Sequence, residues 1–106
     1  MKTKKAIRFL AKDGTGERLR KLSEELIELA DAIKDGGTGK NSKETERAFK
    51  HVIEEAADVS VCIEAFVEAT EQSEAFKNFR LFKISREVAR RYLENPSWCA
   101  TNPEVK

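Results

Sequence analysis

The fold of this 106-residue chain is decided by the stretch from Phe49 to Phe66, which reads Phe-Lys-His-Val-Ile-Glu-Glu-Ala-Ala-Asp-Val-Ser-Val-Cys-Ile-Glu-Ala-Phe. Its apolar residues recur at steps of three and four, which is the spacing of one face of an α-helix. The same stretch places Glu55 and Asp58 one helical turn apart. We therefore predict a long helix, from about residue 43 to residue 70, whose edge carries an acidic pair.

An earlier segment, residues 17 to 34, repeats this arrangement. Its apolar residues form one arc of a second helix: Leu19, Leu22, Leu26, Leu29 and Ile33. Glu25 and Glu28 lie on the flank of that arc, again one turn apart. Two such helices packed side by side would bring four carboxylates to one place.

The rest of the chain continues the helical pattern around these two segments. We predict a short helix over residues 1–12, a Gly-containing turn at 13–16, a loop at 35–42, a fourth helix over 74–94 and a tail at 95–106. Asn41 or Ser42 should cap the third helix and Ser73 the fourth, because their side chains accept hydrogen bonds from free helix N–H groups. The expected fold is an all-α helical bundle of about four helices in one domain, residues 1–94, followed by the C-terminal tail.

Composition limits the classes of partner. The 20 basic and 19 acidic residues nearly cancel, so no global charge draws the chain to nucleic acid or to an anionic membrane. No stretch approaches the roughly 20 apolar residues of a membrane span, and the N-terminus lacks the apolar run of a secretory signal. Cys62 and Cys99 lie far apart outside any C-x-x-C pattern, which favours a reducing compartment. We expect a cytoplasmic protein that, given its modest core, forms a homodimer or homotetramer.

Four converging carboxylates repel one another and raise one another's pKa unless a cation lies between them. Oxygen donors with at most one His suit hard cations, Mg²⁺ first and Mn²⁺ second. Small residues near Glu55 and Asp58 leave room for a ligand. Acidic pairs at this spacing are also common on solvated helix surfaces, so the pattern alone leaves both interpretations open.

The sequence Glu24-Glu25-Leu-Ile-Glu28, followed after 26 residues by Glu55-Ala-Ala-Asp58, resembles the EExxE…ExxD signature of the MazG-like all-α nucleoside triphosphate pyrophosphohydrolases. The resemblance covers residues 17–70 well and 71–94 loosely. It implies hydrolysis of an NTP or dNTP to the monophosphate and pyrophosphate. It also implies that Glu25, Glu28, Glu55 and Asp58 are Mg²⁺ ligands.

Further roles follow from the resemblance. Glu24 and Glu54 directly precede ligands and are the candidate catalytic residues, which would either support the ligands from the outer shell or assist the attacking water. The family carries basic phosphate-binding residues on the helix after ExxD, and the candidates here are Lys83, Arg86 and Arg90. An ordinary solvated face is the alternative for these three, and Glu87 stands where many relatives have Asn. His51, one turn before Glu55, is either an outer-sphere contact or a structural histidine.

Two other classes of function compete with the hydrolase. A non-catalytic helical module that binds nucleotide or a protein partner would also be all-α. A di-iron carboxylate bundle would need Glu-x-x-His motifs, and the sequence contains none.

Overall fold

The computed structural model describes residues 3–36 and 41–94, and its regular structure is entirely helical. The helices are α1 (Thr3–Ala11), α2 (Thr15–Gly36), α3 (Ser42–Ala69) and α4 (Ser73–Glu94). No strand occurs in these two ranges. The prediction of an all-α fold with about four helices is confirmed. The predicted loop residues 37–40 and the tail 95–106, including Trp98 and Cys99, lie outside the described residues.

The connection between α1 and α2 is a tight turn centred on Gly14. Its φ of 93° lies in the left-handed region, which residues with a Cβ seldom adopt. The Gly14 amide donates to the carbonyl of Ala11 (3.1 Å), and the Gly14 carbonyl accepts from the amide of Arg18 (3.0 Å). The turn therefore fixes where α2 begins and which way its first turn faces.

The N-terminus of α3 is capped by Asn41, as predicted. The Asn41 side chain accepts a hydrogen bond from the amide of Glu44 at 2.9 Å. At the other end of α3, Glu71 adopts a positive φ of 59°, and the amide of Gln72 donates to the carbonyl of Val67 (3.1 Å). Ser73, the predicted cap of α4, is the first residue of that helix, and its hydroxyl donates to Glu68 (3.1 Å).

The chain forms two compact units, of which the first ends at Ser73. In this unit α2 packs along α3, and α1 packs against α3 as well. The second unit begins at Glu74 and contains nearly all of α4. None of the helices in the described residues is both long enough and apolar enough to cross a membrane.

The core of the first unit is built largely from small side chains. Its buried apolar residues are Ala32, Val59, Cys62, Ala65 and Val67. At the end of α2, Gly36 lies so close to α3 that a Cβ there would be 3.8 Å from Ala48 and Val52 side-chain atoms. These small residues allow the backbones of α2 and α3 to approach closely.

The apolar arc predicted on α2 is not the most buried face of that helix. Leu19, Leu26 and Ile33 remain 49%, 47% and 57% exposed, whereas Arg18, Glu25 and Ala32 are buried. Leu22 and Leu29 are half-buried. The buried stripe thus contains two charged residues and one small residue, Ala32. As a consequence, Glu25 lies inside the α2–α3 interface rather than on its flank.

Candidate metal centre

An acidic cluster forms where α2 and α3 meet. Glu25, Glu28 and Glu55 each offer one carboxylate oxygen, and these three oxygens lie within 4.8 Å of one another. Glu25 and Glu28 are one turn apart on α2, and Glu55 approaches them from α3. Residues from both halves of the sequence motif are thus brought together. We refer to these three residues as the acidic cluster.

Two oxygens of the acidic cluster lack partners. The Oε2 atoms of Glu25 and Glu55 are buried and accept no hydrogen bond from any described residue. Glu25 as a whole is only 9% exposed. A buried carboxylate oxygen without a donor is costly, and a coordinated cation would remove that cost. The cluster therefore fits a hard divalent cation, for which carboxylate oxygens are the preferred protein ligands.

The electrostatics of Glu25 agree with this view. Burial raises the pKa of Glu25 above its ordinary value, and hydrogen bonding with Glu28 and repulsion from Glu28 and Asp58 raise it further. Lys21, whose Nζ lies 3.7 Å from Glu25 Oε1, partly opposes the rise in pKa. A metal ion would have to displace any proton held here, so metal binding should weaken as the pH falls.

Asp58, the fourth predicted ligand, is near the acidic cluster but outside the 4.8 Å group. Its charge contributes to the raised pKa of Glu25, and its own side chain is exposed. The ligand role of Asp58, like that of the other three carboxylates, stays a prediction.

His51 lies beside the acidic cluster. Its Nε2 is 3.8 Å from Oε1 of Glu55, and its side chain is about half exposed. That position is at the solvent edge of the site, next to a candidate ligand.

The candidate catalytic residues lie on the exposed side of their helices. Glu24 forms an ion pair with Arg20, and its Oε2 is 3.9 Å from Lys21 Nζ. Glu54 is exposed on α3. Neither residue belongs to the acidic cluster, and their catalytic role stays a prediction.

The candidate phosphate-binding residues Lys83, Arg86 and Arg90 are all exposed residues of α4. Arg90 donates a hydrogen bond to Glu87 at 2.9 Å. Glu87, which stands at the position of the expected Asn, therefore engages one of the three cations. Because α4 belongs to the second unit, phosphate binding by these residues stays a prediction.

Arg18 and Cys62 are two buried residues to which no functional role was assigned from the sequence pattern. Arg18 is 8% exposed, and its position seven residues before Glu25 is the only sequence signal that could have pointed to it. Cys62 is a free, buried thiol and belongs to the apolar core of the first unit. Burial raises the pKa of the Cys62 thiol, and the nearby Glu25 carboxylate raises it further.

A separate surface groove of about 570 Å³ runs along the first half of α3. It is lined by Lys43, Glu46, Arg47, Phe49, Lys50 and Ile53. No residue of the acidic cluster lines this groove.

Comparison with protein-family models, with curated proteins and with solved structures found no match for this chain. The resemblance to the MazG-like family accordingly rests on the sequence motif.

Proposed function

We propose that this protein is a Mg²⁺-dependent nucleoside triphosphate pyrophosphohydrolase of MazG-like type. The observation that carries the proposal is the pair of buried, unpartnered carboxylate oxygens of Glu25 and Glu55 within the acidic cluster. A surface acidic patch would leave such oxygens to water. Here they are buried and unpartnered in a group of three neighbouring carboxylates, and a bound cation would partner them.

In this proposal Glu25, Glu28 and Glu55 hold the metal, with Asp58 as a further ligand. When bound, Mg²⁺ neutralises polyphosphate charge and makes water a stronger nucleophile near neutral pH; Mn²⁺ is the expected substitute. The carboxylates fix the position of that charge, and the helix interface limits the access of bulk water to it.

The proposed reaction consumes one water molecule. The water oxygen bonds to a phosphorus atom of the α–β bridge, and the bond between that phosphorus and the bridging oxygen breaks. The products are pyrophosphate and the nucleoside monophosphate. Glu24 and Glu54 are the candidate acceptors of the proton that the water loses. Lys83, Arg86 and Arg90 are the candidate donors to phosphate oxygens.

We further propose that the protein works as a homo-oligomer in the cytoplasm, as a dimer or a tetramer. Large apolar side chains of the first unit remain exposed, among them Leu19, Leu26 and Ile33 on α2. Such exposure is typical of a surface that a partner covers. The free thiol of Cys62 fits a reducing compartment.

A non-catalytic helical interaction module is the second candidate. The observation in its favour is the exposure of large apolar residues on α4, among them Phe79, Phe82 and Leu93. These residues would suit binding to a protein partner, with the acidic cluster serving only to bind metal or nucleotide.

The two candidates differ in turnover. The purified protein is incubated with a panel of canonical and modified nucleotides, with Mg²⁺ and separately with a chelator, and the products are identified. The hydrolase should release pyrophosphate only with the metal. Orthophosphate as the direct product, or no turnover by the wild type, contradicts the proposed function.

A further inference from the structure

Arg18 is a buried cation whose hydrogen-bonding capacity is only partly used. Its Nη2 donates to Asp13 Oδ2 at 2.8 Å, and its side chain is 10% exposed. The Nε atom is buried and finds no acceptor among the described residues. An arginine carries five N–H donors in a rigid fork, and a buried donor without an acceptor is costly. This position therefore favours an additional anionic partner.

Arg18 lies on the same buried stripe of α2 as Glu25. It precedes Glu25 by seven residues, which is two helical turns, or about 10 Å along the helix axis. The thiol of Cys62 on α3 is close to both residues. Burial raises the pKa of the Cys62 thiol, and the Glu25 carboxylate raises it further. The Arg18 guanidinium lowers it.

The unpartnered donor and the unpartnered acceptors do not satisfy one another. Arg18 Nε has no acceptor, while Oε2 of Glu25 and Oε2 of Glu55 have no donor. The first unit therefore holds unpartnered carboxylate oxygens at the acidic cluster and an unpartnered guanidinium donor two turns away on α2. A bare metal ion would satisfy the carboxylates alone. A metal–polyphosphate complex carries both charges and would satisfy both ends.

We propose that Arg18 is a substrate-binding residue that donates to phosphate oxygens of the metal-bound nucleoside triphosphate, with Asp13 positioning its guanidinium. This inference rests on the proposed function. It differs from the role suggested for the α4 cations, because Arg18 belongs to the helix that carries Glu25 and Glu28. The planar guanidinium can donate two parallel hydrogen bonds to a phosphate, which an ammonium group cannot do.

The test is a calorimetric titration of the protein with Mg²⁺ and a nucleoside triphosphate whose α–β bridge cannot be hydrolysed. Arg18→Met should weaken binding of this complex at least tenfold, and Arg18→Lys should restore part of the loss. Binding of Mn²⁺ without nucleotide should be unchanged in both variants. Arg20→Met is the matched control, since Arg20 lies on the same helix but is exposed and paired with Glu17 and Glu24.

Equal affinity of the wild type and Arg18→Met for the complex would overturn the inference. A measurement on the wild type covers the case in which Arg18→Met does not fold. The NMR signal of the Arg18 Nε–H group should shift when the Mg²⁺ complex of the analogue is added and not with Mg²⁺ alone; no shift at saturation would also overturn it. Pyrophosphate release by the wild type separately reports on the proposed function, so the two failures are distinguishable.

Discussion

Glu25 is a carboxyl group in a place that disfavours its charge. It is buried, it lies beside Glu28 and Glu55, and the repulsion that it feels extends to Asp58. The protein thus keeps an unfavourable group at the centre of its helix interface. In the metal hypothesis a bound cation offsets this cost, so the same residue destabilises the metal-free protein and stabilises the loaded one.

Glu25→Gln should therefore raise the Tm of the metal-free protein at neutral pH. The folded-state pKa of Glu25 lies above its ordinary value of 4.5, so the folded protein holds this proton more tightly than the unfolded chain. The free energy of unfolding then falls as the pH rises from about 4.5 through the raised folded-state pKa. Thermal unfolding should be measured with a chelator present at a series of acidic pH values. The free energy of unfolding should fall with rising pH in the wild type and should fall less in Glu25→Gln.

The control for this experiment is Glu64→Gln, which alters an exposed residue of α3. Addition of Mg²⁺ should raise the Tm of the wild type and of Glu64→Gln but not that of Glu25→Gln. An identical pH dependence in wild type and Glu25→Gln would show that the environment of Glu25 has been misjudged.

Glu55→Gln should abolish turnover while the protein stays folded and oligomeric. The change removes the only carboxylate that α3 contributes to the acidic cluster and keeps the size of the side chain. Pyrophosphate release should fall more than about 100-fold, since even outer-shell partners of metal ligands contribute 10- to 100-fold. Full activity in this variant would mean that the ligand assignment is wrong.

The sequence predicted the members of the acidic cluster better than their surroundings. Turn spacing on two amphipathic helices pointed to Glu25, Glu28, Glu55 and Asp58, and three of these four lie within the 4.8 Å group. The burial of Arg18 could not be predicted, because it depends on which stripe of α2 faces α3. The positions of Lys83 and its neighbours relative to the site depend on tertiary packing that helical periodicity does not specify.

At the scale of the helix, the α2–α3 pair is governed by small residues. Ala65 has no exposed surface, and Ala32 and Cys62 are nearly as buried. Apolar periodicity identifies the leucine arc of α2. It does not specify which stripe of the helix lies closest to α3. The helix boundaries were predicted within a few residues because Gly14, Asn41 and the segment before Ser73 carry local signals.

Gly36→Ala should stabilise the first unit by about 0.4–1 kcal/mol, because alanine lowers the entropy of the unfolded chain. A Cβ at this position would make ordinary contacts of 3.8 Å with Ala48 and Val52. Ala65→Leu is the contrasting change and should cost about 1–3 kcal/mol, since it overpacks a fully buried position. Denaturant unfolding measures both changes. A destabilised Gly36→Ala variant would contradict the 3.8 Å clearance between this position and α3.

At the scale of the whole molecule, α2 presents an exposed apolar ridge made of Leu19, Leu26 and Ile33. These residues are seven positions apart and so lie along one line of the helix. At about 100° per residue, Lys21 and Glu28 flank Glu25 on one side and Leu22 and Leu29 flank it on the other. The ridge lies beyond Leu22 and Leu29, on the side away from Glu28, so a subunit that covers it would leave the acidic cluster accessible.

Leu26→Arg should dissociate the proposed oligomer, because it places a charge in the centre of the apolar ridge. Ile27→Arg is the matched control. Ile27 is 61% exposed and lies outside the ridge by its position on the helix. Size-exclusion chromatography with light scattering should give a smaller mass for Leu26→Arg alone. A monomeric wild type, or equal effects of the two changes, would contradict the assignment of this surface.

The most direct test of the central claim is a titration of the protein with Mn²⁺, followed by the electron paramagnetic resonance signal of the free ion. The wild type should bind Mn²⁺ saturably, Mg²⁺ should compete for the same site, and Glu25→Gln and Glu55→Gln should each lose this binding while remaining folded. A wild type that binds no Mn²⁺, or variants that bind it as tightly as the wild type, would contradict a metal centre on the α2–α3 interface.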